Sequence, residues 1–190
     1  MTGPVSVEQS LARRRSVREF ALRDLTLEQV SQLAWAAQGI TDPASGFRTA
    51  PSAGALYPLE VFLVKQDGVF HYLPHGHKLV QMSKADLRAS LARAALGQLS
   101  LRTAPLDIVI TAVYERTKVK YGARAERYVH LEAGHVGQNI QLQAVALGLG
   151  SVPIGALDDD AVARVLGLPS GQRPVYIMAV GYAEEPQASA

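Results

Sequence analysis

The longest periodic stretch, from Ala125 to Leu147, does most to limit what this chain can fold into. Tyr128, Leu131, Ala133, Val136, Ile140, Ala144 and Leu147 recur at helical spacing and Gly148 stops the run, which predicts a helix of roughly six turns. A helix that long with one apolar side needs a broad apolar surface to cover it. Two β-branched runs that flank it in sequence, Asp107–Val113 and Pro174–Gly181, supply strands for such a surface. Glu60–Lys65 reads as a further strand, Asp67-Gly68 as a hairpin turn and Val69–Leu73 as the return strand. A capping box, Thr26-x-x-Gln29, opens a helix carrying Leu27, Val30, Leu33, Ala34 and Ala37, which Gly39 ends. Residues 41–58 are dense in Gly, Pro and Ser and read as loop, and 84–97 has a helical period. Residues 151–155 form a short strand or extended turn; Asp158 or Asp159 caps a small helix ending at Gly167, and 184–190 is a polar tail. Strands and helices alternate irregularly around a hairpin, so the expected class is α+β. With neither repeat nor linker, one domain is expected over residues 1–190.

The composition removes several classes of function. A formal charge of +2, with the basic excess mainly at residues 13–18 and a second group at 116–127, is too small to argue for a nucleic-acid binder. The absence of cysteine excludes disulfides, thiolate metal sites and cysteine nucleophiles. The amino terminus lacks a secretory pattern and no apolar run reaches membrane-spanning length, so a cytoplasmic protein without membrane contact is expected. No metal site is expected: His71, His75 and His77 cluster in a turn, and His130 and His135, five apart on the long helix, face different ways. There is no phosphate-binding G-x-G-x-x-G and no Gly-x-Ser-x-Gly elbow.

What remains is a set of short segments. Arg14-Arg15-Ser16-Val17-Arg18-Glu19-Phe20 packs three guanidiniums and a hydroxyl beside apolar residues, and guanidinium forks match phosphate oxygens at any physiological pH. Pro51-Ser52-Ala53-Gly54-Ala55 and Val152-Pro153-Ile154-Gly155-Ala156 are small-residue loops that expose backbone N–H groups and leave room for a planar ligand. Gln98 adds an amide that both donates and accepts. Gly134 and Gly137 interrupt the long helix; they are either tolerated or mark close approach of another helix or a flat ring.

The ordered series Arg14-Arg15-Ser16-x-Arg18-x-Phe20, Pro51-Ser52-Ala53-Gly54-x-x-x-Pro58, Gly97-Gln98, Lys120-Tyr121-Gly122, Glu132-Ala133-Gly134-His135-x-x-Gln138-Asn139 and Pro153-Ile154-Gly155 resembles the nitroreductase superfamily of flavoenzymes, in particular its SagB-type dehydrogenase branch. The likeness runs from about residue 10 to residue 183. It implies a mixed central sheet flanked by helices, in an intertwined homodimer with FMN at the subunit interface. On matching positions, Arg14, Ser16 and Arg18 would hold the FMN phosphate, with Arg15 giving backbone or ring contacts. Gln98 would meet the flavin ring, and Pro153, Ile154, Gly155 and Ala156 would bring backbone N–H groups to it. Pro51, Ser52 and Ala53 would reach it from the other subunit, and Gly134 and Gly137 would serve helix packing in the dimer. The cation that many relatives place beyond the last strand is missing after Gly181-Tyr182, which leaves Arg173 or the amino-terminal arginines to neutralise the phosphate. The implied activity is ping-pong hydride transfer from NADH or NADPH, through FMN, to a small nitroaromatic or quinone-like acceptor. The resemblance also allows an azoline dehydrogenase acting on peptides, with Lys120 and Tyr121 as the catalytic pair, or a flavin-binding protein without turnover.

Overall fold

A computed structural model describes residues 3–184, so the expected tail at 185–190 lies outside the described residues. The elements in chain order are α1 (Val7–Arg13), α2 (Leu27–Gln38), β1 (Ile40–Asp42), β2 (Phe47–Arg48), β3 (Leu59–Lys65), β4 (Gly68–Leu73), β5 (Lys78–Ser83), α3 (Arg88–Ala94), α4 (Leu99–Thr103), β6 (Leu106–Val113), α5 (Glu115–Tyr121), α6 (Ala125–Ala146), β7 (Gly150–Ile154), α7 (Asp159–Leu166) and β8 (Gln172–Gly181). The class is α+β, as expected. Six strands form one sheet in the order β5-β4-β3-β6-β8-β7, while β1 and β2 pair separately. Every pairing between these strands is antiparallel; the parallel contact is a bridge from Ser16 to Ser151 on β7.

Strand β6 explains the layering. It lies at the centre of the sheet and is buried from Leu106 to Ala112, so its side chains feed two cores. Leu106, Ile108, Ile110 and Ala112 meet Val30 and Leu33 of α2 and Val129, Val136 and Ile140 of α6. Val109 joins Leu91 of α3, Leu101 of α4 and Val162 of α7 on the opposite face. A strand covered on both faces reads as a continuous apolar run instead of an alternating one. Asp107 breaks that run: it has no exposed surface and neither carboxylate oxygen has a hydrogen-bond partner. Burial holds its acidity well below normal, raising the pKa against a partial opposing pull from Arg88.

The Thr26 capping box forms as expected, with Gln29 N–H on Thr26 Oγ1 at 3.3 Å and Thr26 N–H on Gln29 Oε1 at 3.0 Å. The long helix ends within a residue of its expected bound, but its face is turned. Leu131 is 55% exposed, whereas Val129 and Glu132 are buried. Alanines, two glycines and Tyr128 dilute the apolar stripe, so the partner surfaces set the helix's rotation. A Cβ on Gly137 would lie 3.1 Å from the Tyr176 ring, so a flat ring of the same chain occupies the space assigned to dimer packing; Gly134 meets nothing within 4 Å.

Candidate functional site

After α1, whose amino end is closed by a Ser6–Gln9 capping box, the chain turns extended at Arg14 and runs beside the β7 edge of the sheet. Ser16 bridges to Ser151, and Val17 N–H donates to Ser151 O at 3.0 Å. Phe20 is buried and bridges to Ala183, and Ala21 N–H donates to Tyr182 O at 3.0 Å. Gly150 makes this approach feasible: a Cβ there would stand 2.7 Å from Val17 Cβ. The segment is thus pinned through its backbone and apolar side chains while Ser16 and Arg18 stay exposed and Arg14 is half-buried. Arg15 turns back onto its own chain, donating to Ala12 O at 3.0 Å and Arg14 O at 2.8 Å. Among the described residues, none of these three arginines has an acidic partner.

Strand β7 leads from this segment through Pro153 and Ile154 to the exposed pair Gly155 and Ala156. Asp158 N–H then donates to Ala94 O at 2.9 Å, tying this turn to the end of α3. Gln98 follows α3 by a tight turn in which Leu96 (φ 56°) and Gly97 (φ 79°) are left-handed. It is half-buried between the exposed Leu96 and Leu99, and its amide does not cap α4. Arg14–Arg18 and Pro153–Ala156 therefore share the β7 edge of the sheet, and the turn after them is tied to the end of α3, four residues before Gln98.

A second cluster forms around residues 51–58. Tyr57 N–H donates to Ser52 Oγ at 2.9 Å, Ala55 N–H donates to Ser52 O at 3.0 Å, and Gly54 sits at φ 65°. A Cβ on Gly54 would stand 2.9 Å from Lys120 Nζ and 3.0 Å from Tyr121 Oη. Lys120 and Tyr121 thus lie against Gly54, the residue that follows Pro51–Ala53. Tyr121 packs edge-on against Tyr128, centroids 4.8 Å apart. Arg116 on α5 donates to Tyr57 O at 3.1 Å and pairs with Glu60, which also meets His71 Nε2 at 2.8 Å. Burial pushes the Glu60 carboxyl up, but the His71 and Arg116 contacts outweigh it and the net shift is downward. No hydrogen bond or ion pair among the described residues joins this cluster to the arginine side.

Glu132 stands in the motif series read from the sequence but was given no role there; it is 2% exposed on α6. Burial raises its pKa to about 7, against opposing contacts from Ser52, Gln38 and Arg48. Its signal was a carboxylate in core phase, three residues after Val129 and four before Val136. Of the histidines in the turn, His77 is taken up by Tyr72 Oη at 2.8 Å and Ser31 Oγ at 2.7 Å. Among the described residues no group of three or more His, Asp or Glu is arranged to hold a metal, and no helix is long and apolar enough to cross a membrane.

An antiparallel sheet between helical layers, with an arginine segment free of acidic partners along its β7 edge, defines the class as an α+β protein. The nitroreductase family model matches residues 11–182, and the chain belongs to that family. A protein of Methanocaldococcus jannaschii assigned as a nitroreductase is 43% identical over 183 residues, 93% of this chain and 91% of that protein. The microcin B17-processing protein McbC of Escherichia coli is 32% identical over 156 residues, 76% of this chain and 57% of McbC. A crystal structure of a protein assigned as a nitroreductase from Ralstonia eutropha superposes with a TM-score of 0.89 at 30% identity, covering 98% of this chain and 86% of that one. The chain is an oxidoreductase of this family.

Proposed function

We propose that the protein is an FMN-dependent oxidoreductase that takes a hydride from NADH or NADPH and delivers it to a small nitroaromatic or quinone-like acceptor. The observation that carries this reading is the arginine segment, pinned by its backbone to β7 with its guanidiniums free of acidic partners. The residues present fit the cofactor. Arg14, Ser16 and Arg18 would hold the phosphate, Arg15 would support the segment through the carbonyls it already caps, and Gln98 with Pro153–Ala156 would meet the ring. Bound there, FMN would supply a ring that accepts and returns two electrons as hydride. The chain's part is binding and orientation, with exposed amides of Gly155 and Ala156 available to a ring whose charge changes.

The two separated clusters favour a homodimer in which the 51–58 loop of one copy completes the site of the other. Exposed Val7 (65%), Leu11 (52%) and Leu131 (55%), together with a groove of about 760 Å³ between the amino-terminal segment, α2 and α6, offer apolar surface for that pairing.

A second reading, peptide azoline dehydrogenase of the SagB type, is favoured by the position of Lys120 and Tyr121 over Gly54 and by the likeness to McbC. For that activity the bound FMN would supply the two-electron oxidant, and Lys120 would be the residue placed to take the proton that the azoline gives up. Anaerobic titration of FMN-loaded protein separates the readings. Bleaching by NADH or NADPH, followed by reoxidation with a quinone, supports the reductase. Indifference to both nicotinamides together with bleaching by an azoline peptide supports the dehydrogenase. Indifference to all of these leaves a flavin-binding protein without turnover.

A further inference from the structure

Three residues of the 51–58 loop, Gly54 (φ 65°), Ala55 (φ 53°) and Tyr57 (φ 46°), stand in the left-handed region. Glycine takes that conformation freely, whereas alanine and tyrosine are strained by it. Tyr57 is strained twice, because it precedes Pro58 and a proline ring drives its neighbour toward extended backbone at negative φ. Such strain persists only where the surroundings hold it in place. Tyr57 is gripped at four points. Its N–H donates to Ser52 Oγ at 2.9 Å, and its ring lies 4.4 Å from the Arg48 guanidinium. Its Oη accepts from Arg48 N–H at 3.2 Å, and its carbonyl accepts from Arg116 Nη1 at 3.1 Å.

The first three grips come from Ser52 and Arg48, near neighbours in the chain; the fourth ties the loop to the six-stranded sheet. Arg116 Nη2 pairs with Glu60 Oε1 on β3, where Glu60 is in register with Thr111 of β6. The other carboxylate oxygen meets His71 Nε2 at 2.8 Å, and His71 stacks on Phe62 with centroids 4.7 Å apart. With 42% of its side chain exposed, Arg116 gains little from the ion pair alone; the pair's effect is to aim the guanidinium. One planar fork thus spans a carboxylate and a carbonyl through two nitrogens, a geometry that a point-like ammonium does not reproduce. Among the described residues, no other group donates to Tyr57 O. Arg116 and Lys120, four apart, share a face of α5, and Lys120 Nζ lies against Gly54. The helix therefore meets the strained loop at two points, Gly54 and Tyr57.

Resting on the reading that the 51–58 loop completes the cofactor site, we propose that Arg116 is a positioning residue. Aimed by Glu60, its two-nitrogen fork holds the Tyr57 carbonyl and keeps the loop in its strained form, with Gly54 seated against Lys120 and Tyr121. Without that fork the backbone at Tyr57 relaxes toward the extended region and the loop loses its shape. The arginine segment along β7 shares no hydrogen bond or ion pair with this cluster among the described residues, so it is left in place.

Hydrogen–deuterium exchange of peptides spanning residues 50–58 reads the loop in the intact chain, because the amides of Ala55, Leu56 and Tyr57 are all bonded within it. Arg116→Met keeps an apolar stem and should speed that exchange at least about tenfold, the effect of losing one charged hydrogen bond, with β6 amides unchanged. Arg116→Lys restores the charge opposite Glu60 but not the two-nitrogen span, so it should exchange like Arg116→Met. In FMN-loaded Arg116→Met, cofactor affinity should stay within about threefold of wild type while flavin reduction slows at least about tenfold, since misplacement of a site element costs rate. Unchanged exchange at 50–58 in Arg116→Met overturns the proposal, as does wild-type exchange in Arg116→Lys. Faster exchange that extends to β6, or FMN affinity and reduction that fall together, shows a merely structural role and overturns it too. The exchange readout needs neither flavin nor turnover, so a protein that no nicotinamide reduces would sink the reductase reading without obscuring the role of Arg116.

Discussion

Gly150 is where the arginine segment depends most sharply on a single missing atom group. Its φ is not in the left-handed region, so alanine is tolerated by the backbone and any effect comes from space alone. The added Cβ would meet Val17 Cβ and Cγ2 at 2.7 Å and Cγ1 at 2.9 Å. Carbon pairs settle at about 3.5–4.0 Å, so Val17 must retreat by about 1 Å. Rotation about χ1 gives no relief, because Val17 Cβ is itself in the clash and the β-branched side chain is stiff. The backbone must therefore move, which strains the Val17 N–H to Ser151 O bond of 3.0 Å. Overpacking costs about 1–3 kcal/mol and the hydrogen bond about 0.5–1.5 kcal/mol, so Gly150→Ala should lose about 2–4 kcal/mol. In a chain of this length that is a drop in melting temperature of roughly 5–15 °C. FMN affinity, read by quenching of flavin fluorescence, should fall at least about tenfold, because Ser16 and Arg18 ride on the displaced segment. Val17→Ala removes two of the three close atoms, so the double variant should be less destabilised than the sum of the singles by about 1 kcal/mol. Unchanged melting and FMN affinity in Gly150→Ala, or strict additivity in the double variant, would refute the steric argument.

Asp107→Asn should match wild-type stability near about pH 4 and exceed it increasingly toward pH 8 in urea titrations. The folded pKa of Asp107 is raised, so its contribution is full below the unfolded value of about 3.9 and is lost as pH rises through the folded one; a wild-type advantage at pH 8 would reverse that sign. Arg18→Ala should weaken FMN by about tenfold or more, since a charged hydrogen bond is worth about 1.5–3 kcal/mol, and equal affinity in a fluorescence titration would remove Arg18 from the site. Lys120→Gln should leave reduction by NADH or NADPH within about twofold but cut azoline oxidation at least about a hundredfold, the scale of lost general-base help. Equal effects on both half-reactions, measured by stopped-flow absorbance, would show Lys120 to be structural.

The local signals in this sequence translated well. The Thr26 box, the strands around β3, β6 and β8 and both ends of α6 follow from periodicity and caps whose partners lie within a few residues. The elements that escaped have weak local signatures. Strand β5 lies at the sheet edge with Val80 and Met82 exposed, so its pattern hardly alternates. Helix α5 carries four charged residues among seven and is held from outside by Arg116 on Glu60. Helix α1 has the same kind of capping box as α2 but only a short apolar run behind it. The motifs of the candidate site were legible as segments but not as an assembly, because a backbone bridge such as Ser16 to Ser151 leaves no mark on side-chain identity. Glu132 was hidden for the opposite reason: a buried carboxylate looks like a surface one until the turned face of α6 is known.

The most direct test is FMN titration of the purified chain with its mass followed by light scattering. A dimer that binds one FMN per chain, loses that binding in Arg14→Ala/Arg18→Ala and bleaches anaerobically with a reduced nicotinamide is the predicted result. A monomer that leaves flavin fluorescence unquenched at saturating protein would contradict the assignment.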